Sequence, residues 1–407
     1  MCSKPNGAPE AASGRACSLR IFVTTNGLVG HINSVVGIAA EARRRGHHVC
    51  WAATGIAADV GMDAGLRELD AEILQLGTSE PLLAAITEIT PEFMLCNFVE
   101  GHDDYVDRLE DALRAQRADV VVYDMACVWA AIAAHRIGVP YVGIPQGWPL
   151  LVSGRDHAIT RDLQGPRDAL FRRLGVPPHR FVENMCVSPW LNLLATTSEV
   201  ACAHQELPAT YEVTGPTMPP PATARPLPPG FPAARPLVYV AFGTLVATGI
   251  AVYRTVVEAC AELGVACVVS CRLPEAAELE GIGSTRVYPY VPQMRVLEEV
   301  SAAVLHGGTN SLNEAIWSGV PSLVVPFMAD QFDGAVCVQR AGAGRELLLA
   351  DLTVESVARA LEALLAPSAA QRARMAQLQQ SYRAADGNAR AVDAIERIAT
   401  APVLPGA

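Results

Sequence analysis

Residues 290–331 read YVPQMRVLEEVSAAVLHGGTNSLNEAIWSGVPSLVVPFMADQ. The apolar run Val300–Leu305 predicts a strand, Asn310–Ser318 a short helix and Ser322–Val325 a second strand. A strand–helix–strand unit of this length implies a parallel sheet. The turn between the first strand and the helix is His306-Gly307-Gly308-Thr309-Asn310-Ser311. Glycines let the backbone approach an anion closely, and a helix N-terminus offers unpaired N–H groups and partial positive charge. Thr309, Asn310 and Ser311 add side-chain donors, and His306 can donate to a phosphate oxygen. Taken alone, the same turn is an ordinary strand–helix connection with Asn or Ser as its cap.

The neighbouring residues sharpen the choice. Glu314 lies one helical turn beyond Asn310 and Ser311, on their face, where a carboxylate suits ribose hydroxyls. Tyr290 and Gln293 occupy a loop after a strand. An aromatic face there can stack on a base, and an amide can bond the base edge or the ribose. Asp330-Gln331 follows the strand SLVVPF at its carboxyl end, where ligands bind in such sheets. An acid and an amide side by side can hold vicinal sugar hydroxyls. Gly243-Thr244, after the strand Leu237–Phe242, is a second candidate phosphate contact.

The strand–helix alternation extends in both directions. Leu19–Thr25 predicts a strand, NGLVGH a loop, the stretch to Arg45 a helix ended by Gly46, and His48–Ala53 another strand. Asp119–Tyr123 and Tyr141–Ile144 read as strands flanking a helix over Ala126–Arg136. Residues 214–236, GPTMPPPATARPLPPGFPAARP after Thr214, are too rich in proline for a helix or central strand and predict a stiff, extended linker. Beyond it come a helix over Ile250–Leu263, a strand over Ala266–Ser270 and another at Arg286–Tyr288. From about Thr353 the chain reads as helical to Ala399. The expected class is α/β with two parallel-sheet halves and a ligand in the crevice between them. The expected boundaries are a disordered leader at 1–18, an N-terminal domain at 19–213, the linker at 214–236, a C-terminal domain at 237–385, and a helix within 386–407 crossing back to the first domain.

Composition narrows the function. A chain of 407 residues suffices for two full cores. No run reaches the roughly 18 uncharged residues of a membrane helix. A net charge of -11 argues against a nucleic-acid partner. Eleven scattered cysteines without a CxxC fit reduced thiols in a cytoplasm better than a disulfide framework or a zinc site. No apolar strand ends in D-x-D, and the acidic run Glu100–Asp111 has the spacing of a solvated helix face, so no metal is expected. Gly342-Ala343-Gly344 follows a helix and reads as its C-cap.

The motif Tyr290-Val291-Pro292-Gln293, His306 to Ser311, Glu314, Gly319-Val320-Pro321, Pro326 and Asp330-Gln331 resembles the donor-binding signature of the UDP-dependent, family 1 inverting glycosyltransferases. Tyr290 and Thr309 stand where plant members have Trp, as in bacterial macrolide and antibiotic-pathway members. The resemblance implies the GT-B fold, two Rossmann-like domains facing across a cleft. It implies base stacking on Tyr290, ribose binding by Glu314, phosphate contacts from His306, Asn310 and Ser311, and sugar contacts from Asp330 and Gln331. The N-terminal half keeps Gly30-His31, Asn33 and Arg45-Gly46-His47 of the same resemblance, with Ser34 in place of proline. Its implied chemistry is direct displacement. His31 serves as general base, Asp124 orients the imidazole, and neither cofactor nor metal takes part.

Asp330-Gln331 favours a sugar with its equatorial hydroxyls, UDP-glucose first, over a dTDP-deoxysugar, which would leave buried polar groups unpaired at about 1–3 kcal/mol each. A small hydrophobic acceptor is expected near His31, with Phe93, Met94, Phe98, Trp129, Trp148 and Phe171 as candidate lining. Two rivals remain at this level: a sugar-nucleotide epimerase and a non-catalytic binder on the same architecture.

Overall fold

The computed structural model describes residues 18–25, 29–55, 72–78, 103–124, 127–145, 165, 168–169, 171–176, 181–182, 185–186, 188–201, 207, 209–219, 226–243, 249–327 and 330–401. The first half opens with strand β1 (Arg20–Thr25), helix α1 (Val29–Arg44), β2 (His48–Gly55) and β3 (Glu72–Thr78). Helix α2 (Asp103–Gln116), β4 (Val120–Asp124), α3 (Val128–Ile137) and β5 (Tyr141–Ile144) follow. A small antiparallel pair, β6 (Phe181–Val182) with β7 (Met185–Cys186), precedes β8 (Leu191–Leu194) and β9 (Tyr211–Val213). The strands form one parallel sheet in the order β3-β2-β1-β4-β5-β8-β9.

The sequence reason is visible strand by strand. The run VVVYD is buried at all five positions, as a parallel strand covered on both faces must be. Alternate side chains serve opposite faces. Ile21, Val23, Val49, Trp51, Val120 and Val122 pack with α1 on one side. Phe22, Cys50, Ala52, Val121 and Tyr123 pack with α2 and α3 on the other. β3, β8 and β9 were not legible from apolar runs. Helix α3 ends at Gly138 in the left-handed conformation, as its sequence predicts.

The second half repeats the plan. It runs β10 (Leu237–Ala241), α4 (Ile250–Glu262), β11 (Ala266–Ser270), β12 (Thr285–Tyr288), α5 (Gln293–Leu297), β13 (Ala302–Leu305), α6 (Thr309–Ser318), β14 (Ser322–Val324), α7 (Gln331–Ala341) and β15 (Gly344–Glu346). The strand order is β12-β11-β10-β13-β14-β15, all parallel. In both sheets the order reverses beside the first strand, between β1 and β4 and between β10 and β13. In open α/β sheets ligands bind at the carboxyl ends of such strands.

The run from Thr353 to Ala399 is three helices rather than one: α8 (Val354–Leu365), α9 (Ala369–Ala384) and α10 (Gly387–Ala399). Pro367 and a capping box of Ser368 with Gln371 restart the chain at α9, and Asp386 in the left-handed conformation breaks it before α10. Helix α9 packs with the second half through Met375, Leu378 and Tyr382. Helix α10 places Ala391, Val392, Ala394 and Ile395 in the core of the first half, against α1. The Arg45-Gly46-His47 end of α1 grips it. Arg45 Nη1 lies 2.5 Å from Asp393 Oδ1, and His47 Nε2 lies 2.8 Å from Glu396 Oε1. The Leu19 N–H donates to His47 Nδ1, so Nε2 carries the proton that Glu396 accepts.

The described part of the proline-rich segment has neither helix nor strand, but its beginning is not a free spacer. Thr214 and Thr217 are buried, and Thr217 Oγ1 donates to the Ser34 carbonyl at 2.7 Å. Asn388 Nδ2 donates to the Met218 carbonyl at 2.8 Å. Backbones meet so closely here that a Cβ on Gly37 would lie 2.0 Å from the Met218 oxygen, and one on Gly387 2.3 Å from the Pro216 oxygen. Among the described residues no helix is long and apolar enough to cross a membrane.

Candidate active site

At the first reversal point, β1 leads into α1 and β4 ends in Asp124. His31 is the third residue of α1, and its Nδ1 lies 2.5 Å from Asp124 Oδ2. Asp124 is fully buried, while the His31 side chain is 20% exposed. An ionised Asp124 accepts the Nδ1 proton, which makes Nε2 the acceptor nitrogen of a neutral ring. The Ser34 hydroxyl, where the resemblance has proline, donates back to the His31 carbonyl at 2.7 Å and ties the first turn of the helix.

At the second reversal point, β10 ends before Gly243 and β13 before His306. The imidazole of His306 lies between two glycines. A Cβ on Gly243 would come within 2.9 Å of its Nε2, and one on Gly308 within 2.6 Å. Gly243 is also left-handed, at φ +79. Burial pushes the His306 imidazole down to about 4, against a smaller upward pull from the Ala241 carbonyl. His306 is therefore neutral near pH 7 and can present one N–H. The Thr309 hydroxyl is buried at the start of α6 without a hydrogen-bond partner among the described residues. An orphaned donor beside the free N–H groups of a helix terminus fits an anion such as a phosphate.

Further along the same helix, Gln293 Nε2 donates to Glu314 Oε2 at 2.6 Å and to Ser311 Oγ at 3.2 Å. Gln293 is the first residue of α5 rather than a loop residue. Tyr239, on β10, donates its hydroxyl to Gln293 Oε1 at 3.0 Å and so fixes the orientation of the amide. Burial pushes the Glu314 carboxyl up to about 7, and the Gln293 bond offsets part of the rise. The Tyr239 phenol is also pushed up, first by burial and then by the Glu314 charge. Tyr290 stands at the mouth with 49% of its surface exposed. Asp330 is the cap position of α7. The buried Gln331 uses its side-chain oxygen to accept the Phe327 N–H at 2.9 Å, so part of its hydrogen-bonding capacity is already committed within the protein.

The two sets meet. Asn310 Nδ2 donates to the carbonyl of Gly30, the residue before His31. The crevice is therefore lined from one side by a His–Asp pair and from the other by a glycine-bounded helix terminus. Among the described residues no group of three or more His, Cys, Asp or Glu is arranged to hold a metal ion.

The chain is similar to known proteins in sequence and in fold. Residues 232–379 match the family described as UDP-glucoronosyl and UDP-glucosyl transferase. The 4'-demethylrebeccamycin synthase of Lentzea aerocolonigenes is 29% identical, over 93% of this chain and 99% of that protein. A zeaxanthin glucosyltransferase of Pantoea ananas is 25% identical, over 92% and 95%. The solved glycotransferase of kitacinnamycin superposes with a TM-score of 0.76 at 24% identity, over 94% of this chain and 99% of that one. The chain is a glycosyltransferase with the GT-B fold.

In this enzyme two of the candidate acceptor-lining aromatics are described, and both are buried. Trp129 is buried in the core behind β4, edge-on to Tyr105 at 5.8 Å, and Phe171 lies fully buried in the same cluster. Both are packing residues rather than pocket lining. Phe93, Met94, Phe98 and Trp148, together with Thr244 on the donor side, lie outside the described residues. Sequence reasoning missed Tyr239, which carries no signal in LVYVAF, and Asn313, whose signal is a polar residue among the buried positions Leu312, Ala315 and Ile316 of α6.

Proposed function

We propose that the enzyme transfers a hexose from a nucleotide sugar to a hydroxyl of a small hydrophobic natural product, with inversion and without a metal ion. The observation that carries this reading is the His31–Asp124 pair beside Gly30, which Asn310 of the donor helix touches. His31 Nε2 takes the acceptor hydroxyl proton as the acceptor oxygen bonds to the anomeric carbon. The bond from that carbon to the diphosphate oxygen breaks, and the nucleoside diphosphate leaves with the electron pair. Buried Asp124 holds the ring and balances the imidazolium. The α6 terminus, Thr309, Asn310, Ser311 and neutral His306 supply hydrogen-bond donors to the leaving group, which fits charge stabilisation without a cation.

Tyr290 suits base stacking and Glu314 the ribose. Asp330 and Gln331 support a sugar that keeps its hydroxyls, glucose from UDP-glucose first. A dTDP-deoxysugar is the second reading, favoured by the commitment of Gln331 to the Phe327 N–H, which reduces what it can offer a sugar. The antibiotic-type acceptor draws support from the rebeccamycin-pathway relative.

The test is incubation with UDP-glucose or dTDP-sugars and a panel of phenolic and macrolide acceptors in EDTA, read as a hexose mass increment. Transfer that survives EDTA and disappears in His31→Ala is expected. Transfer that needs added metal, or that is untouched by His31→Ala, defeats the mechanism.

A further inference from the structure

Two adjacent residues just past β8, Ala195 and Thr196, meet two residues of the second half in a closed hydrogen-bond circuit. Asn313 Nδ2, on α6, donates to the Ala195 carbonyl at 2.6 Å. Tyr382 OH, on α9, donates to Asn313 Oδ1 at 3.1 Å. The Thr196 hydroxyl lies 2.8 Å from the Tyr382 oxygen. With the Tyr382 proton directed to Asn313, Thr196 is the donor in that last contact. Asn313, Thr196 and Tyr382 are all buried.

Helix α6 is thus keyed to the first half at two points three residues apart, Asn310 to Gly30 and Asn313 to Ala195. The same helix carries Ser311 and Glu314 toward Gln293. Its far end is secured to α9, where Gln379 Nε2 and Arg383 Nε both donate to the Trp317 carbonyl at 3.2 and 3.1 Å. A connected buried polar network favours one arrangement, because breaking any bond leaves its partners unpaired.

We propose that Asn313 and Tyr382 are positioning residues for transfer. They lock α6 onto Ala195-Thr196, so that a nucleotide sugar whose diphosphate is held at the α6 terminus and the imidazole of His31 meet at a constant separation. The inference rests on the transfer reaction proposed above, in which neither residue is assigned a substrate contact. A misplacement of about 1 Å away from the chemistry can cost about 100-fold in rate.

The experiment compares Asn313→Ala, Asn313→Asp and Tyr382→Phe with the wild type, by UDP and dTDP calorimetry, transfer kinetics and hydrogen exchange of the ligand-free protein. Nucleotide affinity is expected to stay within about twofold, while kcat falls about 10–100-fold in Asn313→Ala. Asn313→Asp keeps the acceptor for Tyr382 but turns a carboxylate oxygen toward the Ala195 carbonyl, so it should fare no better. Tyr382→Phe, which removes one hydroxyl and keeps the ring, should lose about 3–10-fold. Exchange should quicken at 195–201 and 309–314 while both sheets keep their protection. Wild-type kcat in Asn313→Ala overturns the proposal. So does a parallel loss of kcat, nucleotide affinity and protection throughout the chain, the pattern of a merely structural residue. If Asn313→Ala does not fold, Tyr382→Phe carries the same readouts. The exchange measurement needs no turnover. Unchanged exchange at both segments defeats the lock even if transfer is found, whereas a wild type that transfers no sugar defeats the reaction alone.

Discussion

Each half of the molecule places a histidine at the mouth of a strand–helix turn, His31 after β1 and His306 after β13. The turns sit at equivalent reversal points of two similarly ordered sheets, yet the histidines have opposite surroundings. His31 has a buried carboxylate at 2.5 Å. His306 has no acidic partner among the described residues, is hemmed in by Gly243 and Gly308, and is pushed down to about 4 by burial. The same side chain on the same scaffold is thus prepared as a proton acceptor in one half and as a fixed neutral donor in the other. The partner and the packing, not the residue type, make the difference.

The largest expected effect breaks the first turn alone. Asp124→Asn should keep the buried shape but favour the wrong imidazole tautomer, lowering kcat of transfer by about 10³–10⁴-fold. UDP affinity, measured by calorimetry, should be unchanged. A matching loss of affinity would show that the two turns are not separable. The second effect is confined to the other turn. Gly308→Ala puts a Cβ 2.6 Å from His306 Nε2 and should weaken UDP binding by about 10–100-fold, while leaving the His31–Asp124 pair intact. Normal UDP affinity in this variant would remove His306 from the cradle.

A third prediction concerns pH. The Glu314 carboxyl is raised from 4.5 to about 7, so the native state holds a proton that the unfolded chain has lost between those values. Its contribution to stability is full below about pH 4.5 and declines as pH rises to about 7. His306 is lowered from 6.5 to about 4, so its contribution is full above pH 6.5 and is lost as pH falls toward 4. Each is on the order of 3 kcal/mol, and over the shared window they oppose one another. Glu314→Gln should therefore expose an acid-side loss of Tm that the wild type masks, and should raise Tm at pH 8. A variant with the wild-type pH profile would show that the Glu314 carboxyl is not raised by its burial. The smallest effect is at the rim. Tyr290→Ala should leave Tm unchanged and raise the Kd for UDP by about 3–10-fold, the worth of one stacking face. No change in Kd would take the base away from Tyr290.

The donor half was the more legible of the two. Its chemistry lies within one strand–helix–strand unit, so His306, Thr309, Ser311 and Glu314 are fixed relative to one another by local geometry. Local pattern does not reach contacts between distant segments, and the pairing of His31 with Asp124 was expected only from the family resemblance. Asp124 and His31 are 93 residues apart, Asn313 and Ala195 118, and Tyr382 and Thr196 186. No periodicity links such pairs. The proline-rich segment was read for its dihedral restrictions, which rule out helix and strand but say nothing about what packs on it. Trp129 and Phe171 are candidate lining by residue type alone, while their burial depends on the helices packed around them.

By itself the sequence determined two parallel α/β halves and a glycine-bounded helix terminus built for an anion. Both follow from apolar periodicity, backbone permissiveness and the unpaired N–H groups of a helix start, all of which act over a few residues. The pairing of His31 with Asp124 came from the family resemblance, and a terminal helix crossing back to the first domain was expected. Only the tertiary structure decided that α10 lies against α1 and that α6 is bonded to the opposite side of the crevice at Gly30 and Ala195. Those outcomes depend on burial and on closing hydrogen bonds between segments brought together by folding, where an unpaired polar group costs more than any local preference supplies.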